Sequence, residues 1–379
     1  MWTSEDSRRS KVEESEVEKS KVEESKKETP AWGVAGCGVL SGIHRRSSWF
    51  SLPPLFCLAL TAYCLLHSAY FLFAGTGLYQ VREIKPKVYL WMPDDVLDQE
   101  SDPEFPRASN AGFVVTSEGV VVVDTANSPF HAREILYEIR QRTDQPVKYV
   151  LNTSAAGDHA LGNEVFVDQQ SIIVSAATAQ ARLREYKQTL ERRLGDDDGW
   201  RLQARMRGFH VTAAAQTFQS DMTLRLGGED FRLRTLLDRG DAAVEIPSTK
   251  VLFLGPLFEN KFFPRIGGRD VRRWIAALRE VESWDVDTYV PGHGAPGGKA
   301  DVAAFRGFLE WLVAQVETRM KAGKSLAEVR EELVLPQTFH YNAPDLAPTA
   351  VADVYRQLAS TSQPAAPATT GTAAVPPAH

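Results

Sequence analysis

Cysteine is scarce in this sequence of 379 residues and is restricted to its beginning. The three cysteines are Cys37, Cys57 and Cys64, so the rest of the chain has no thiol for a disulfide, a thiolate metal ligand or a cysteine nucleophile. Any metal site there must be built from His, Asp and Glu side chains. Because a domain without cysteine is indifferent to redox conditions, this scarcity leaves the compartment undecided.

Concentrated positive charge is also missing. The formal net charge is -6 and the isoelectric point is near 5.8. Binding to nucleic acid needs Lys and Arg gathered on one face, so the composition argues against a nucleic-acid partner. The sequence contains neither the glycine-rich loop of P-loop proteins nor the Gly-x-Ser-x-Gly turn of serine hydrolases. An unidentified small-molecule substrate is the expected partner.

Asp, Glu, Lys and Arg are absent from Trp49–Gly75. This apolar segment exceeds the roughly 20 residues that a helix needs to cross a hydrocarbon core of about 30 Å. Arg45 and Arg46 precede it, which favours a cytoplasmic N-terminus and a C-terminal domain outside the cytoplasm. Ala74–Thr76 matches a signal-peptidase site only in part, which favours a membrane anchor over a cleaved signal peptide. A helix buried in the core is the remaining alternative.

The two ends of the sequence are poor in residues that build a core. Residues 1–48 begin with a strongly charged stretch in which SKVEES occurs twice, and residues 360–379 are rich in Pro, Ala and Thr. Such segments cannot bury enough apolar surface to offset the entropy lost on ordering, so both are predicted to be disordered tails. One folded domain is therefore expected over residues 78–359.

Two strand-rich halves follow one another in this domain. The first half pairs two β-branched runs around Ser117–Gly119, and the second pairs strands around Gly227–Gly228 and Pro247–Ser248. Helical patterns accompany both halves, at residues 132–142, 177–209, 270–282 and 303–321. Two sheets that pack face to face with helices outside them follow from this order. The predicted class is α+β, an αββα four-layer sandwich.

Two glycine-containing stretches carry the residues that can perform chemistry. Asp158 and His159 stand in TSAAGDHALGN, and His293 stands in VPGHG. Each stretch follows an apolar strand, and functional residues of layered folds usually lie in loops at strand ends. One carboxylate and two imidazoles form the three-ligand pattern of catalytic zinc or non-haem iron, which activates water near neutral pH. The alternative is a pair of unrelated surface or capping histidines.

Four stretches in a fixed order resemble the metallo-β-lactamase-fold superfamily. They are NAGFVVTSEGVVVVDT, KYVLNTSAAGDHALGN, GDAAVEIPSTKVLFLG and YVPGHG. The family's usual form of the second stretch is Thr-His-x-His-x-Asp-His-x-x-Gly, and Asn152 to Asn163 follow the form of its exported hydrolases apart from two histidines. The resemblance extends over residues 86–320. It implies the αββα fold and a metal-dependent hydrolase.

The same resemblance implies that one of the family's two metal sites is lost. Three histidines hold the first metal in the family, and their positions carry Ser154, Ala156 and Leu237 here. The Asp that bridges the two metals falls at Pro256. Ala, Leu and Pro side chains have no donor atom, and a single Ser hydroxyl is a poor ligand for a divalent ion.

The ligands of the family's second metal are retained, according to this resemblance, as Asp158, His159 and His293. Asp124, at the end of VVVVDT, and Asp241, in the third stretch, match family positions that support the site from behind the ligands. For Asp124 the alternative is a residue that forms the turn at the end of its strand. The set implies one zinc or iron ion as cofactor.

Three functions stay open at this point. The first is a single-metal hydrolase of an ester or lactam bond. The second is a pseudoenzyme that acts as an exported binding or scaffold module. The third is a protein whose metal only ties the two halves together. Losing one of two metal charges costs several kcal/mol of transition-state stabilisation, so weak or absent hydrolysis is expected. Three residues that follow Pro256 are predicted to be exposed loop residues beside the cleft, with substrate binding as the alternative: Glu259, Asn260 and Lys261.

Overall fold

The computed structural model describes residues 79–93, 107–184, 206, 209–336, 342 and 346–362. The predicted N-terminal tail, the apolar segment 49–75 and residues 363–379 of the predicted C-terminal tail lie outside these ranges. No helix within the described ranges is long and apolar enough to cross a membrane.

The first sheet contains, in the part of the chain that is described, seven strands in chain order. They are β1 (Tyr79–Lys85), β2 (Val88–Pro93), β3 (Ala111–Val115), β4 (Val120–Val123), β5 (Val147–Leu151), β6 (Ile172–Ala176) and β7 (Gln216–Phe218). Pairings from β1 to β4 are antiparallel and pairings from β4 to β7 are parallel. The hairpin predicted around Ser117–Gly119 is confirmed as β3 and β4.

The second sheet contains five strands within the same ranges. They are β8 (Asp221–Leu226), β9 (Glu229–Thr235), β10 (Ala242–Ile246), β11 (Val251–Glu259) and β12 (Thr288–His293). Their order is β12-β11-β10-β9-β8, and only the pairing of β11 with β12 is parallel. Both hairpins predicted for the second half are therefore confirmed, as β8 with β9 and as β10 with β11.

Helices cover the outer faces of both sheets, which confirms the α+β sandwich. They are α1 (Pro129–Arg140), α2 (Gly157–Ala160), α3 (Asn163–Val167), α4 (Val271–Glu282), α5 (Lys299–Lys321), α6 (Leu326–Glu332) and α7 (Ala347–Ser362). Residues 177–184 are helical as predicted, whereas residues 185–205 lie outside the described ranges. The predicted helix at 303–321 begins four residues earlier, at Lys299.

The four valines of β4 explain why the sheets stack in layers. Val121 and Val123 belong to the core between the two sheets, and Val120 and Val122 belong to the core under α1. Successive side chains of a strand point to opposite faces, and all four valines are fully buried. An unbroken β-branched run is therefore the pattern of a strand that is covered on both faces.

The start of α4 is anchored firmly to the second sheet. The side chain of Asp270 accepts hydrogen bonds from the backbone N–H groups of Arg272 and Arg273, which caps the helix. The indole N–H of Trp274 donates to the carbonyl oxygen of Leu257 at 2.8 Å. These contacts fix the chain just before α4, where a buried arginine points into the cleft described below.

Candidate metal centre

Five buried ionisable side chains meet at one edge of the two sheets. Asp124 follows β4 directly, Glu259 and His293 are the last residues of β11 and β12, and Asp158 and His159 lie in α2 after β5. Because β4 pairs in parallel with β5, and β11 with β12, the C-terminal ends of these strands lie side by side. Each of the five residues is at most 8% exposed.

The local structure around these residues differs from the predicted loops. Asp158 and His159 lie in the single-turn helix α2, and His293 still belongs to β12. Asp158 occupies the first turn of α2, where a carboxylate interacts favourably with the unpaired N–H groups of a helix start. The backbone that carries the predicted ligands is therefore regular in both α2 and β12, and regular backbone holds side chains more firmly than a free loop does.

The three residues predicted as metal ligands come together. The Oδ2 atom of Asp158 lies 3.8 Å from Nε2 of His159 and 3.6 Å from Nε2 of His293. The two imidazole rings are 6.4 Å apart between centroids, with an angle of 79° between their planes. A carboxylate oxygen thus lies between two imidazole nitrogens, one from helix α2 and one from the end of β12.

The other nitrogen of each histidine is held by a carboxylate. Oδ2 of Asp124 lies 2.8 Å from Nδ1 of His159, and Oε2 of Glu259 lies 3.0 Å from Nδ1 of His293. A carboxylate in this position accepts the Nδ1–H, so that Nε2 carries the lone pair that can bind a cation. Nε2 of His159 has no hydrogen-bond partner among the described residues, whereas Nε2 of His293 lies 3.5 Å from the backbone oxygen of Arg107. Asp124 also has a positive φ of 59°, so it both turns the chain after β4 and orients His159.

Glu259 corrects the sequence prediction. It was expected as an exposed loop residue beside the cleft, yet it is 5% exposed and ends a nine-residue strand in which every residue is buried. A carboxylate is stable there because it accepts a hydrogen bond from His293. The signal in the sequence was its place at the end of the apolar run VLFLGPLFE, level with VPGH of the neighbouring strand.

Nε2 of His159 is the atom of the donor set that points most clearly to a metal ion. Nε2 of His159 is buried and has no hydrogen-bond partner among the described residues, as expected of a nitrogen that is reserved for a cation. Tetrahedral zinc places its ligand atoms about 3.3 Å apart, and the two distances to Asp158 are slightly longer. Within the described ranges no group of three His, Cys, Asp or Glu side chains forms a metal cluster as it stands. The donor types, one carboxylate and two imidazoles, fit one divalent ion.

Thr153 holds the carboxylate of Asp124 in place, and Gly255 leaves the space that Thr153 needs. Thr153 donates its backbone N–H to one oxygen of Asp124 at 2.8 Å and its hydroxyl to the other at 2.5 Å. Gly255 has a φ of +49°, and a Cβ atom there would lie 2.0 Å from the hydroxyl oxygen of Thr153. A glycine is therefore needed where β11 approaches this network.

Ser109 and Asn110 connect the two halves of the centre. The hydroxyl of Ser109 donates to the backbone oxygen of Asp158 at 2.7 Å. The side-chain amide of Asn110 donates to the backbone oxygens of Pro291 and Gly294 at 3.0 and 2.8 Å. Two consecutive residues thus bind the backbone on both sides of the cleft.

The positions of the family's first metal hold no metal-binding set. Ser154 donates its hydroxyl to Oδ1 of Asp241 at 2.7 Å and accepts the backbone N–H of Ala156 at 3.2 Å. Leu237 packs into the core under α4, and Pro256 is buried within β11. The donor set at these positions does not fit a divalent ion.

Asp241 supports the cleft through an arginine that the sequence prediction missed. Nε of Arg269 lies 2.6 Å from Oδ2 of Asp241, and Nη2 lies 3.2 Å from Oδ1. Arg269 is 7% exposed and Asp241 is fully buried. Burial raises the pKa of Asp241, but the charge and hydrogen bonds of Arg269 outweigh burial and leave that pKa lowered. No motif in the sequence marked Arg269, because its partner lies 28 residues away.

The surrounding carboxylates favour protonated histidines as long as no metal is bound. Burial lowers the pKa of His159, but the charges of Asp158 and Asp124 outweigh it and raise the pKa to about 9. Burial likewise opposes the charge of Glu259 at His293, and the net effect is a raised pKa. The pKa of Asp158 is lowered, because the two imidazoles and Arg265 outweigh its burial.

The metal-free chain is expected to lose stability between about pH 6.5 and pH 9. Protonated His159 stabilises the fold fully below its ordinary pKa of 6.5, and this contribution disappears as the pH rises through about 9. The loss is on the order of 3 kcal/mol for a shift of this size. Thermal unfolding in the presence of a chelator measures it. The change His159→Gln should remove the part of the loss that His159 causes and leave a smaller part from His293, whereas His210→Gln, at an exposed position, should retain the whole loss.

Comparison with known proteins agrees with this fold. Residues 105–293 match the family model of the metallo-β-lactamase superfamily. The linear primary-alkylsulfatase of Pseudomonas sp. (strain ATCC 19151) is 23% identical over 263 residues, which are 59% of this chain and 49% of the relative. The chain therefore spans about half the length of this curated relative.

A solved structure shows the same fold at low identity. The stereoselective inverting sec-alkylsulfatase Pisa1 from Pseudomonas sp. aligns with a TM-score of 0.56 and 17% identity, over 74% of this chain and 50% of that chain. A metallo-β-lactamase from Pontibacter korlensis aligns with a TM-score of 0.49 and 21% identity, over 61% of this chain and 99% of that chain. Through residues 105–293, the chain belongs to the metallo-β-lactamase superfamily.

Proposed function

We propose that this chain is a single-metal hydrolase of the metallo-β-lactamase type, in which Asp158, His159 and His293 hold one zinc or iron ion. One observation carries the proposal. Nε2 of His159 is buried without a hydrogen-bond partner among the described residues, and Asp124 holds the opposite ring nitrogen. In a metal-binding imidazole, one ring nitrogen is held by a carboxylate and the other is buried without a hydrogen-bond partner, as they are here.

Asp158, His159 and His293 would hold the ion, which when bound would supply Lewis-acid chemistry for polarising the bond to be broken and activating water. The residues of the chain orient the two histidines and partly neutralise the charge of the ion. Asp124 and Glu259 fix which nitrogen of each histidine faces the cleft. Asp158 supplies the one anionic donor, which lowers the net charge of the loaded centre. Each of the five ionisable side chains is at most 8% exposed, so little bulk water reaches them and their electrostatic interactions are strengthened.

The rate of hydrolysis is expected to be low compared with that of two-metal relatives. Each positive charge that stabilises the developing oxyanion is worth several kcal/mol, and about 1.4 kcal/mol is a tenfold change in rate. The proposed substrate is a small molecule with an ester or lactam bond. Because a curated relative is an alkylsulfatase, sulfate esters belong in the same panel of substrates. The proposal includes membrane attachment through residues 49–75 with this domain outside the cytoplasm.

Metal content and hydrolysis of the purified full-length chain test this function. Elemental analysis is expected to find about one equivalent of zinc or iron. Chromogenic carboxyl esters, lactams and sulfate esters are then assayed with and without a chelator, and activity should disappear with the metal. A folded chain that takes up no metal after dialysis against zinc contradicts the proposal.

A second function is favoured by the first-metal positions. Ala156, Leu237 and Pro256 provide no donor, and the described residues form no ready metal cluster. These observations suit a pseudoenzyme that acts as a binding or scaffold module. It predicts a chain that folds without metal and hydrolyses none of the panel. One equivalent of metal without hydrolysis would instead support an ion that only ties the two halves together.

Glu259→Gln is expected to weaken zinc binding by about 10- to 100-fold. An amide at this position accepts the Nδ1–H of His293 less strongly than a carboxylate does, which lowers the basicity of the metal-facing nitrogen. Competition with a chromophoric chelator measures the affinity. Glu229→Gln, on the partly exposed side of β9, is the matched control and should bind zinc like the unaltered chain. Equal affinities for both variants would exclude a supporting role for Glu259.

A further inference from the structure

A buried arginine lies beside the place that the family resemblance assigns to the first metal. Ser154, at one of the lost ligand positions, donates its hydroxyl to Oδ1 of Asp241, and Nη2 of Arg269 contacts the same oxygen. Nε of Arg269 contacts the second oxygen at 2.6 Å. Both oxygens of Asp241 are therefore engaged, and the guanidinium is separated from Ser154 by a single carboxylate.

The charge of Arg269 also reaches the proposed ligand side of the cleft. Burial lowers the pKa of Arg269, but Asp241 raises it more strongly, and Asp158 and Glu259 raise it further. Arginine keeps its proton under ordinary conditions, so this positive charge is permanent. At 7% exposure there is little solvent to screen it.

We propose that the guanidinium of Arg269 takes the place of the family's first metal and restricts the cleft to one divalent ion. A cation that approached Ser154 would meet a buried positive charge that cannot leave by losing a proton. It would also find Asp241 already paired through both oxygens. The inference deepens the proposed function and rests on it for the remaining ion at Asp158, but the exclusion by Arg269 is tested separately.

The test restores the missing histidines with Ser154→His, Ala156→His and Leu237→His. With Arg269 retained, the zinc content after equilibrium dialysis should equal that of the unaltered chain. With Arg269→Met and Asp241→Asn added, it should rise by about one equivalent. The paired change removes both charges, so no unpaired charge is left buried. Elemental analysis counts the zinc, and circular dichroism checks the fold.

Two outcomes overturn the proposal: an additional equivalent while Arg269 is present, or no additional equivalent after its removal. Zinc is counted relative to the unaltered chain, so an unaltered chain without zinc defeats the proposed function and leaves this comparison valid. If the restored chain does not fold, Asp241→Asn is compared with Asp241→Asn plus Arg269→Met in the otherwise unaltered chain. Loss of the guanidinium should then tighten zinc binding about tenfold, and unchanged or weaker binding overturns the proposal.

Discussion

Replacing Asp158 by asparagine is expected to lower the zinc affinity of the chain by more than about 100-fold. Changing a group behind a ligand already costs up to about 100-fold, and Asp158 is itself the anionic donor of the set. Its carboxylate lies 3.8 and 3.6 Å from the two metal-facing nitrogens, whereas a neutral amide oxygen in the same place attracts a divalent ion far less. Competition with a chromophoric chelator gives the affinity directly.

Asp168→Asn is the matched control for this change. Asp168 is exposed at the end of α3, and its neutralisation alters the net charge of the chain by the same amount. Its zinc affinity should stay within about twofold of the unaltered chain, because exposed charges are screened by solvent and salt. If Asp158→Asn bound zinc as tightly as Asp168→Asn, Asp158 would not be a ligand and the proposed centre would be wrong.

Arg269→Met is expected to lower the free energy of unfolding by about 3–5 kcal/mol. The change leaves the carboxylate of Asp241 fully buried without its cation, and the hydrogen bond from Ser154 cannot replace two bonds from a guanidinium. A loss of this size is a large part of the stability of an ordinary domain. Chemical unfolding followed by circular dichroism measures it.

The double change Arg269→Met with Asp241→Asn should recover much of this loss, since a buried pair replaced on both sides leaves no unpaired charge. The surface control is Arg272→Met, which removes an arginine that is 59% exposed and paired with Glu317. It should cost less than about 1 kcal/mol. Equal losses for Arg269→Met and Arg272→Met would show that the buried pair contributes no more than a surface pair.

Local patterns in the sequence sufficed to predict most of the strands near the centre. The valines around Ser117–Gly119 and the apolar run before Pro247–Ser248 predicted hairpins because their periodicity and turn residues are local signals. The first two strands, β1 and β2, and the helices after α5 were not predicted. No residue of β1 is buried, so this edge strand lacks the apolar run that marked the buried strands.

The candidate site was predicted only where it resembles a family motif. The resemblance named Asp158, His159, His293 and Asp124, and the structure brings all four together. Glu259 and Arg269 were not predicted as part of the site, because their roles depend on partners 34 and 28 residues away along the chain. A charged residue in a sequence is usually exposed in the structure. Only the tertiary packing shows that a buried charge is paired with an opposite charge.

The hydrogen bonds of Ser109 and Asn110 are expected to limit the rate at which an ion leaves the proposed centre. One of these neighbours holds the backbone of Asp158 and the other holds the backbone around His293. Any fluctuation that parts the two sheet edges must break the hydrogen bonds of Asn110 and widen the gap between the proposed ligands at the same moment. The residence time of an ion would then follow the rate at which this edge opens, which hydrogen exchange at the amide of Asn110 reports.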